Sequence, residues 1–268
     1  MLNLAASNIA WLEEEDGAVY EAMQKAGFTG LEIAPTRWYP TRPYDHLAQA
    51  AEQAKRLKSE NGLSVCSMQS IWYGMTQSIF GASQERDALL SYTKQAIDFA
   101  AAIHCPNLVF GCPRNRNVPS GCQPAQEAPD FFGRCAEYAH LHGVVISLEP
   151  NPPIYHTNFI NRTPEAFQFV RSLNHPGLRV NVDIGTMLYY GEAPSLIEEN
   201  LDWVGHVHIS EPGLAAFCHD SWLGDMLDML EKAGYQGYAS IEMSNQAPLE
   251  TVIETIQRVD GIRKNRRD

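Results

Sequence analysis

The feature that most constrains the fold is a regular alternation of short, β-rich apolar runs with longer amphipathic segments along the whole chain. Segments such as YDHLAQAAEQAKRLKSENG repeat apolar residues at three- and four-residue intervals, which is typical of helices that bury one face. Several of these segments end in a glycine directly before the next apolar run, as helices that lead into strands commonly do. The runs predicted to be strands are LNLAAS from Leu2, TGLEIA from Thr29, LSVCSMQ from Leu63, NLVFG from Asn107, VVISLE from Val144, LRVNVD from Leu178, VGHVHIS from Val204 and YASIEM from Tyr238.

Strands that alternate with helices in this way run parallel, because each helix returns the chain to the same end of the sheet. Eight such units in 268 residues average about 33 residues each, close to the size of one unit of a (β/α)8 barrel. An open, doubly wound sheet is the alternative, but it usually has fewer strands and often a glycine-rich phosphate loop after the first one. Here the first run is followed by SNIAWLEEED, which has no glycine cluster. We therefore predict an α/β protein with one domain over residues 1–268, a (β/α)8 or TIM barrel.

Composition restricts the classes of partner. The chain carries 32 Asp and Glu against 20 Lys and Arg, a formal net charge of −12, which disfavours general binding to nucleic acid or to anionic membranes. No apolar stretch approaches the roughly 20 residues of a membrane-spanning helix, and the segment MLNLAASNIAWLEEEDG does not resemble a secretory signal. Six cysteines without CxxC spacing indicate reduced thiols in a cytoplasmic protein. The expected partner is a small molecule.

Four consecutive predicted strands, the fifth to the eighth, carry ionisable residues at or near their carboxyl ends. Because the carboxyl ends of all strands meet at one rim of a barrel, these side chains are expected to converge. Carboxylates that are buried together repel each other strongly unless a cation lies among them. The pattern therefore predicts one divalent metal ion bound by Glu149, Asp183, His208 and Glu242. This mostly oxygen-donating set favours Mn²⁺, Mg²⁺ or Co²⁺ over Zn²⁺.

Residues after the third and fourth runs are candidate substrate contacts. The irregular segment FGCPRNRNVPSGCQPAQEAP is predicted to be an extended functional loop. Its Arg114 and Arg116 suit a carboxylate or phosphate, or they are a solvated pair. Gln69 and Trp72 follow the third run, and an aromatic face beside a sugar ring is a common recognition device, although Trp72 also suits plain packing.

Two further polar residues have both a structural and a functional interpretation. Glu32 ends the second run and either positions the substrate or caps the next turn. His206 lies two residues before His208 and so on the same face of the seventh strand. It is either a hydrogen-bonded core residue or a substrate contact.

The segments SLEPNP, VNVDIGT, GHVHISE and GYASIE, in that order and spacing, resemble the xylose isomerase-like superfamily of TIM barrels. GFTGLEIA and LEKAGYQGYASIE extend the resemblance over essentially the whole chain. Within the superfamily the chain resembles the sugar phosphate isomerase/epimerase group, which contains ketose 3-epimerases, hydroxypyruvate isomerase-like proteins and inosose dehydratases. The resemblance implies a metal-dependent isomerase or epimerase of a sugar, sugar phosphate or keto acid, and a homodimer or homotetramer.

Carried over residue by residue, the resemblance implies that Glu149 and Glu242 are both metal ligands and the acid/base pair. One removes a proton from the carbon next to a carbonyl, the metal ion stabilises the resulting enediolate, and the other returns a proton. An α-C–H is far too weak an acid for a lone carboxylate unless the developing oxyanion is stabilised electrostatically.

At three places the chain departs from the ketose epimerases of the group. They usually have a histidine three residues beyond the metal-binding aspartate, where this chain has Thr186. They tend to have a glutamate several residues beyond the first metal-binding glutamate, a region where this chain has Tyr155 and His156. They also tend to have an arginine a few residues past the metal-binding histidine, and residues 211–214 contain none. The substrate contacts therefore differ, and Thr186 and His156 are candidates for them.

Other classes of protein are weighed against this interpretation. A dehydratase or lyase begins with the same proton abstraction and stays open, whereas a non-catalytic sugar-binding barrel would be expected to lack one of the two glutamates. An apurinic endonuclease of the superfamily needs about three zinc ions and further histidines after the early strands, which end here in Glu32, Gln69 and Gly111. A Schiff-base aldolase needs a strand lysine, but all six lysines fall in predicted helices or the terminal tail.

Overall fold

The structure, a computed structural model, describes residues 2–122 and 124–265. Within them, eight strands alternate with helices, each strand pairs in parallel with the next, and the last pairs with the first to close a barrel. This confirms the predicted single-domain TIM barrel, with every strand in the predicted place. The strands are β1 (Asn3–Ser7), β2 (Gly30–Ile33), β3 (Ser64–Met68), β4 (Asn107–Phe110), β5 (Val145–Leu148), β6 (Leu178–Asp183), β7 (Val204–Ile209) and β8 (Tyr238–Ile241).

Helices surround the barrel and connect its strands. All six lysines lie in these helices, as predicted, and none of the helices in the described ranges is both long and apolar enough to cross a membrane. The α-helices are α1 (Asp16–Lys25), α2 (Pro35–Trp38), α3 (Leu47–Asn61), α4 (Ser83–Ala102), α5 (Pro124–Leu141), α6 (Thr163–Leu173), α7 (Ile184–Tyr190), α8 (Ser195–Glu198), α9 (Asp220–Lys232) and α10 (Leu249–Asn265). Short 3₁₀ turns are formed by Glu13–Glu15, Pro43–Asp45, Pro113–Arg116, Pro153–Tyr155, Leu201–Trp203 and Pro212–Leu214.

The apolar strand sequences reflect burial on both faces. Leu31, Val180 and Ile209 are completely buried, because the barrel interior covers one face of each strand and the helices cover the other. Gly62 ends α3 with a φ of 69° and Gly191 ends α7 with a φ of 64°, a backbone conformation that glycine adopts without steric cost.

The pairing of the strands is irregular at two places close to the rim of the barrel. The register of β2 on β3 shifts between Leu31 and Glu32, and that of β6 on β7 shifts between Val180 and Asn181. Bulges of this kind re-aim side chains next to functional sites. Here Glu32 and Asn181, which directly follow the two shifts, both contact His208.

The segment after β4 is partly helical where the sequence predicts one extended loop. Pro113–Arg116 form a 3₁₀ turn and α5 begins at Pro124, so this part of the prediction is wrong. Proline suits the first helical position because its missing N–H would have no intrahelical partner there. Pro129 lies further inside α5 and removes one backbone hydrogen bond. Within this segment, Gln123 lies outside the described residues.

Candidate metal centre and substrate cavity

The four candidate ligands predicted from the sequence lie together at the carboxyl-terminal rim of the barrel. Glu149 directly follows β5, Asp183 ends β6, His208 lies in β7 and Glu242 directly follows β8. All four are buried, and one donor atom of each lies within 4.8 Å of the donor atoms of the others. Neighbouring parallel strands thus bring three carboxylates and one imidazole together from four separate segments of the chain.

His208 directs its Nδ1 atom towards the carboxylates. Nδ1 lies 3.0 Å from Oε1 of Glu149 and 3.2 Å from Oε2 of Glu242. Burial lowers the pKa of His208, but the carboxylates of Glu242 and Glu32 raise it well above the ordinary histidine value. A ring nitrogen between two carboxylates is a place where a proton or a metal ion is strongly favoured. Three oxygen donors and one nitrogen donor fit a divalent ion such as Mn²⁺, Mg²⁺ or Co²⁺.

Two asparagine amides hold the Glu149 carboxylate in place. Asn151 Nδ2 donates to Oε2 at 2.7 Å, and Asn181 Nδ2 donates to Oε1 at 2.8 Å. Burial raises the pKa of Glu149, but the hydrogen bond and charge of His208 and the bond from Asn151 lower it overall. Glu149 is therefore held as an ionised carboxylate in one orientation.

Glu242 has a different environment. Its close polar contact is His208 Nδ1 at 3.2 Å, and no amide of the described residues is hydrogen-bonded to its carboxylate. Burial, together with the charges of Glu149 and Asp183, raises the pKa of Glu242 to about 7. The two glutamates thus differ in chemical character, since one stays ionised and the other carries a proton near neutral pH.

Asp183 is also the N-cap of α7. Its Oδ1 accepts from the backbone N–H of Thr186 at 2.6 Å and lies 2.7 Å from the Thr186 hydroxyl, while Ser210 Oγ donates to Oδ2 at 2.5 Å. Thr186 is completely buried, and its hydroxyl lies 3.0 Å from the carbonyl oxygen of Pro150. The Thr186 hydroxyl is thus used inside the protein, and its predicted contact with substrate stays a prediction.

Glu32 lies on the far side of His208, beneath the candidate ligands. It is completely buried, and its carboxylate lies 3.1 Å from Nε2 of His208 and 3.0 Å from Nε2 of His206. Burial raises the pKa of Glu32, but the two histidines lower it well below the ordinary value. Glu32 and His206 are buried and do not line the cavity, so their predicted contact with substrate stays a prediction. The position of His206 agrees with the core residue that the sequence also allowed.

A cavity of about 670 Å³ opens above the candidate ligands. Glu149, Asp183 and Glu242 line it on one side, and the loops after β3 and β4 form most of the remaining wall. This volume is within the range of small-molecule sites.

Three of the predicted substrate contacts line this cavity: Gln69, Trp72 and Arg114. The amide of Gln69 also donates to Glu32 at 3.0 Å. Trp72 is almost completely buried, and its indole N–H donates to Thr93 at 2.9 Å. Trp72 therefore belongs to the core as well as to the cavity wall. Arg114 is exposed, and its contact with a substrate anion stays a prediction.

Arg116 and His156 do not line the cavity. Arg116 is completely buried, and its Nη2 donates to the carbonyl oxygen of Glu149 at 2.6 Å and to Oδ1 of Asn151. It supports the site from within the protein, and its predicted contact with a substrate anion stays a prediction. His156 is exposed at the end of a 3₁₀ turn, and the residue before it, Tyr155, lines the cavity instead.

Sequence reasoning missed Asn151, Asn181 and Tyr155. A usable signal existed for Asn181, because residues two apart on a strand share a face and Asn181 lies two residues before Asp183 on β6. Asn151 lies in the irregular segment after β5, where no periodicity applies. Tyr155 is in the region singled out by its difference from the ketose epimerases, but His156 was chosen there instead.

Comparison with known proteins places these observations in a family. The sequence profile of the xylose isomerase-like TIM barrel family matches residues 20–263. No curated protein matches the chain.

Solved structures with the same fold include two sugar epimerases. The 3-keto-D-glucoside 4-epimerase from E. coli has a TM-score of 0.76 and 18% identity, with 97% of this chain and 100% of that chain covered. The D-psicose 3-epimerase from Clostridium cellulolyticum H10 has a TM-score of 0.78 and 15% identity, with 98% of each chain covered. An AP endonuclease of family 2 from Brucella melitensis has a TM-score of 0.69 and 21% identity, with 94% and 97% covered. At these identities the similarity shows the fold alone. The profile match over residues 20–263 shows that the chain belongs to the xylose isomerase-like TIM barrel family.

Proposed function

We propose that the protein is a divalent-metal-dependent sugar epimerase or isomerase that removes and returns a proton next to a carbonyl group. The observation that carries the proposal is that Glu149 and Glu242 line the same cavity and both lie beside His208 Nδ1, yet have contrasting environments. Asn151 and Asn181 hold the Glu149 carboxylate in one orientation, whereas neither amide contacts Glu242, a difference that suits two carboxyl groups with different parts in one proton transfer.

The residues proposed to hold the ion are Glu149, Asp183, His208 and Glu242. A bound divalent ion would polarise the substrate carbonyl and stabilise the negative charge that develops on its oxygen. Asp183 is fixed by the bonds from Thr186 and Ser210, and His208 by its contact with Glu32. These contacts orient the donor atoms before the ion binds, which favours binding.

In one direction of the proposed reaction, Glu149 accepts the proton from carbon. The amides of Asn151 and Asn181 fix its carboxylate in orientation and favour its ionised form. Glu242 would return a proton to the substrate, and exchange of protons between the two carboxyl groups and water would restore the starting state. Gln69, Trp72 and Arg114 of the cavity wall are proposed to orient the substrate.

The names of the structural neighbours support a sugar substrate, since they include a 3-keto-D-glucoside 4-epimerase, D-psicose 3-epimerases and an L-ribulose 3-epimerase. They give no support to the alternative of a dehydratase or lyase. A purely sugar-binding barrel would not need the contrast between Glu149 and Glu242. For an endonuclease, further metal-binding histidines at the ends of β2 to β4 would be expected. Within the described ranges, the candidate metal-binding groups contain no histidine from β2 to β4.

We further propose that the protein works in the cytoplasm as a homodimer or homotetramer and does not act on nucleic acid. The acidic net charge of −12 supports the last point. The family resemblance supports the oligomeric state, and the free cysteines of the described residues are compatible with a reducing compartment.

The test combines metal analysis with solvent-deuterium incorporation. The purified protein, loaded with Mn²⁺, is incubated in D₂O with D-fructose, D-allulose, D-tagatose, L-ribulose, methyl 3-keto-D-glucoside, hydroxypyruvate and an inosose. We expect deuterium next to the carbonyl of at least one compound, loss of exchange on chelation and loss in Glu242→Gln. The control is Glu192→Gln, at a partly buried glutamate outside the site. Exchange that survives both chelation and Glu242→Gln would refute the mechanism, and release of water would favour the dehydratase.

A further inference from the structure

Tyr155 occupies the cavity wall beside the candidate acid/base residues. It ends the 3₁₀ turn Pro153–Tyr155, which follows β5, and it lines the cavity together with Glu149, Asp183 and Glu242. Its phenol oxygen accepts a hydrogen bond from the backbone N–H of Gly213 at 3.0 Å. This bond joins the loops after β5 and β7 and fixes the position of the oxygen.

The bond from Gly213 leaves the hydrogen of the Tyr155 hydroxyl available. A phenol can accept and donate at the same time, and no hydrogen bond within the described ranges uses this hydroxyl as a donor. Burial and the charges of Asp183 and Glu242 raise the pKa of Tyr155 above its ordinary value, so the hydroxyl keeps its proton. A neutral O–H donor therefore lies at the cavity, with its acceptor position occupied.

We propose that Tyr155 is a substrate-contacting, specificity-determining residue that donates its O–H to a hydroxyl, ring or glycosidic oxygen of the substrate. The proposal rests on the proposed function. In the ketose epimerases that the chain resembles, a glutamate is usual in this region. A carboxylate only accepts hydrogen bonds from substrate hydroxyls, whereas the Tyr155 hydroxyl, whose oxygen already accepts from Gly213, donates one.

Tyr155 also joins two loops, so a substitution can act by loosening them. A structural effect of this kind slows every substrate to a similar extent. A lost hydrogen bond slows only the substrates that carry the acceptor oxygen, because an analogue without that oxygen never made the bond. A comparison of substrate and analogue in both proteins therefore separates the two roles.

The experiment compares Tyr155→Phe with the wild-type protein, both as full chains loaded with Mn²⁺. Tyr189→Phe is the matched control, because Tyr189 is exposed on α7 and does not line the cavity. The probes are the compounds named above, followed by the mono-deoxy or deoxygenated analogues of whichever exchanges fastest. Binding of the same probes is measured by calorimetry, so that a compound that binds without exchanging is still informative.

We expect Tyr155→Phe to bind Mn²⁺ like wild type and to lose about 10-fold in kcat/KM or affinity for the probe. We expect one oxygen-deficient analogue to be treated equally by both proteins, and Tyr189→Phe to be within about 2-fold of wild type. Equal loss for every analogue, or no loss at all, would overturn the role of Tyr155 and leave the proposed function standing. Failure of wild type to bind or exchange any probe would overturn both.

Discussion

Nε2 of His208 lies 3.1 Å from the Glu32 carboxylate, while Nδ1 of the same ring lies 3.0 Å from Glu149. A neutral imidazole carries one hydrogen, and an acceptor on the Nε2 side keeps it there. The lone pair of Nδ1 is then directed towards the candidate ligands. Glu32 therefore acts as a positioning residue for a metal ion through His208.

Glu32→Gln tests this relationship. An amide is a weaker acceptor than a carboxylate, so we expect the Mn²⁺ dissociation constant to rise by about 10- to 100-fold. Electron paramagnetic resonance of free Mn²⁺ measures it. Glu192→Gln, which lies outside the contact network of His208, is expected to bind like wild type. An unchanged dissociation constant in a folded Glu32→Gln protein would show that Glu32 does not position His208.

The two arginines of the loop after β4 are expected to differ sharply in their effect on stability. Arg116→Met leaves the carbonyl oxygen of Glu149 and the side-chain oxygen of Asn151 without their buried donor. We expect the free energy of unfolding to fall by about 2 kcal/mol or more. Arg114→Met, at the exposed neighbour, should change it by no more than about 0.5 kcal/mol. Urea unfolding of both variants measures the difference, and equal effects would contradict the buried role of Arg116.

Gly111 keeps the space that the Glu149 carboxylate occupies. A Cβ at this position would lie 2.6 Å from Oε2 of Glu149, so Gly111→Ala forces the carboxylate to move. We expect the rate of deuterium exchange to fall by about 10-fold or more, because small displacements of a reacting group slow the reaction strongly. Gly133→Ala in α5, where a Cβ meets nothing within 4 Å, is the control and should retain exchange. Wild-type exchange in Gly111→Ala would show that the position of Glu149 is not critical.

Binding of Mn²⁺ is expected to depend on pH and to release protons. The pKa of His208 is raised well above its ordinary value by Glu242 and Glu32 despite burial, and burial and neighbouring charges raise that of Glu242 to about 7. Protons compete with the ion for both groups, so affinity should rise between about pH 6 and pH 8 as Glu242 ionises, and should continue to rise at higher pH as His208 loses its proton. Calorimetry in buffers of different ionisation enthalpy should detect release of about one to two protons at pH 7.

Glu242→Gln is the informative variant for this pH dependence, because it removes one of the two titrating groups. The number of protons that this variant releases on binding Mn²⁺ should fall towards the number released by His208 alone. Affinity that is independent of pH over this interval would mean that neither group is a ligand.

The eight strands and the convergence of the four candidate ligands were predictable, because both depend on local patterns. Strand periodicity fixes which residues share a face, and closure of a parallel barrel places every strand end at one rim. The position of Asp183 beside His208 follows from these two rules.

The contacts that support the ligands were not predictable, because they cross between distant segments. Glu32 meets His208 across the barrel from β2 to β7, strands that are not neighbours in the sheet. Arg116 reaches the end of β5 from the loop after β4. Whether such an arginine is exposed or buried depends on how the loop folds back onto the barrel. The spacing of residues in the sequence does not encode this. This is why Arg116 and Glu32 were predicted to contact substrate.

The rim of the barrel divides into a half that carries the candidate ligands and a half that does not. This division has an evolutionary consequence. Residues 70–76 form cavity wall after β3, on the side of the barrel that contributes no candidate ligand. This segment can be exchanged between relatives to retune selectivity while the ion-holding half is inherited unchanged. Residues 111–116 lack this freedom, because Gly111 and Arg116 each abut Glu149. Divergence in this lineage should therefore concentrate in the first of these loops and spare the second.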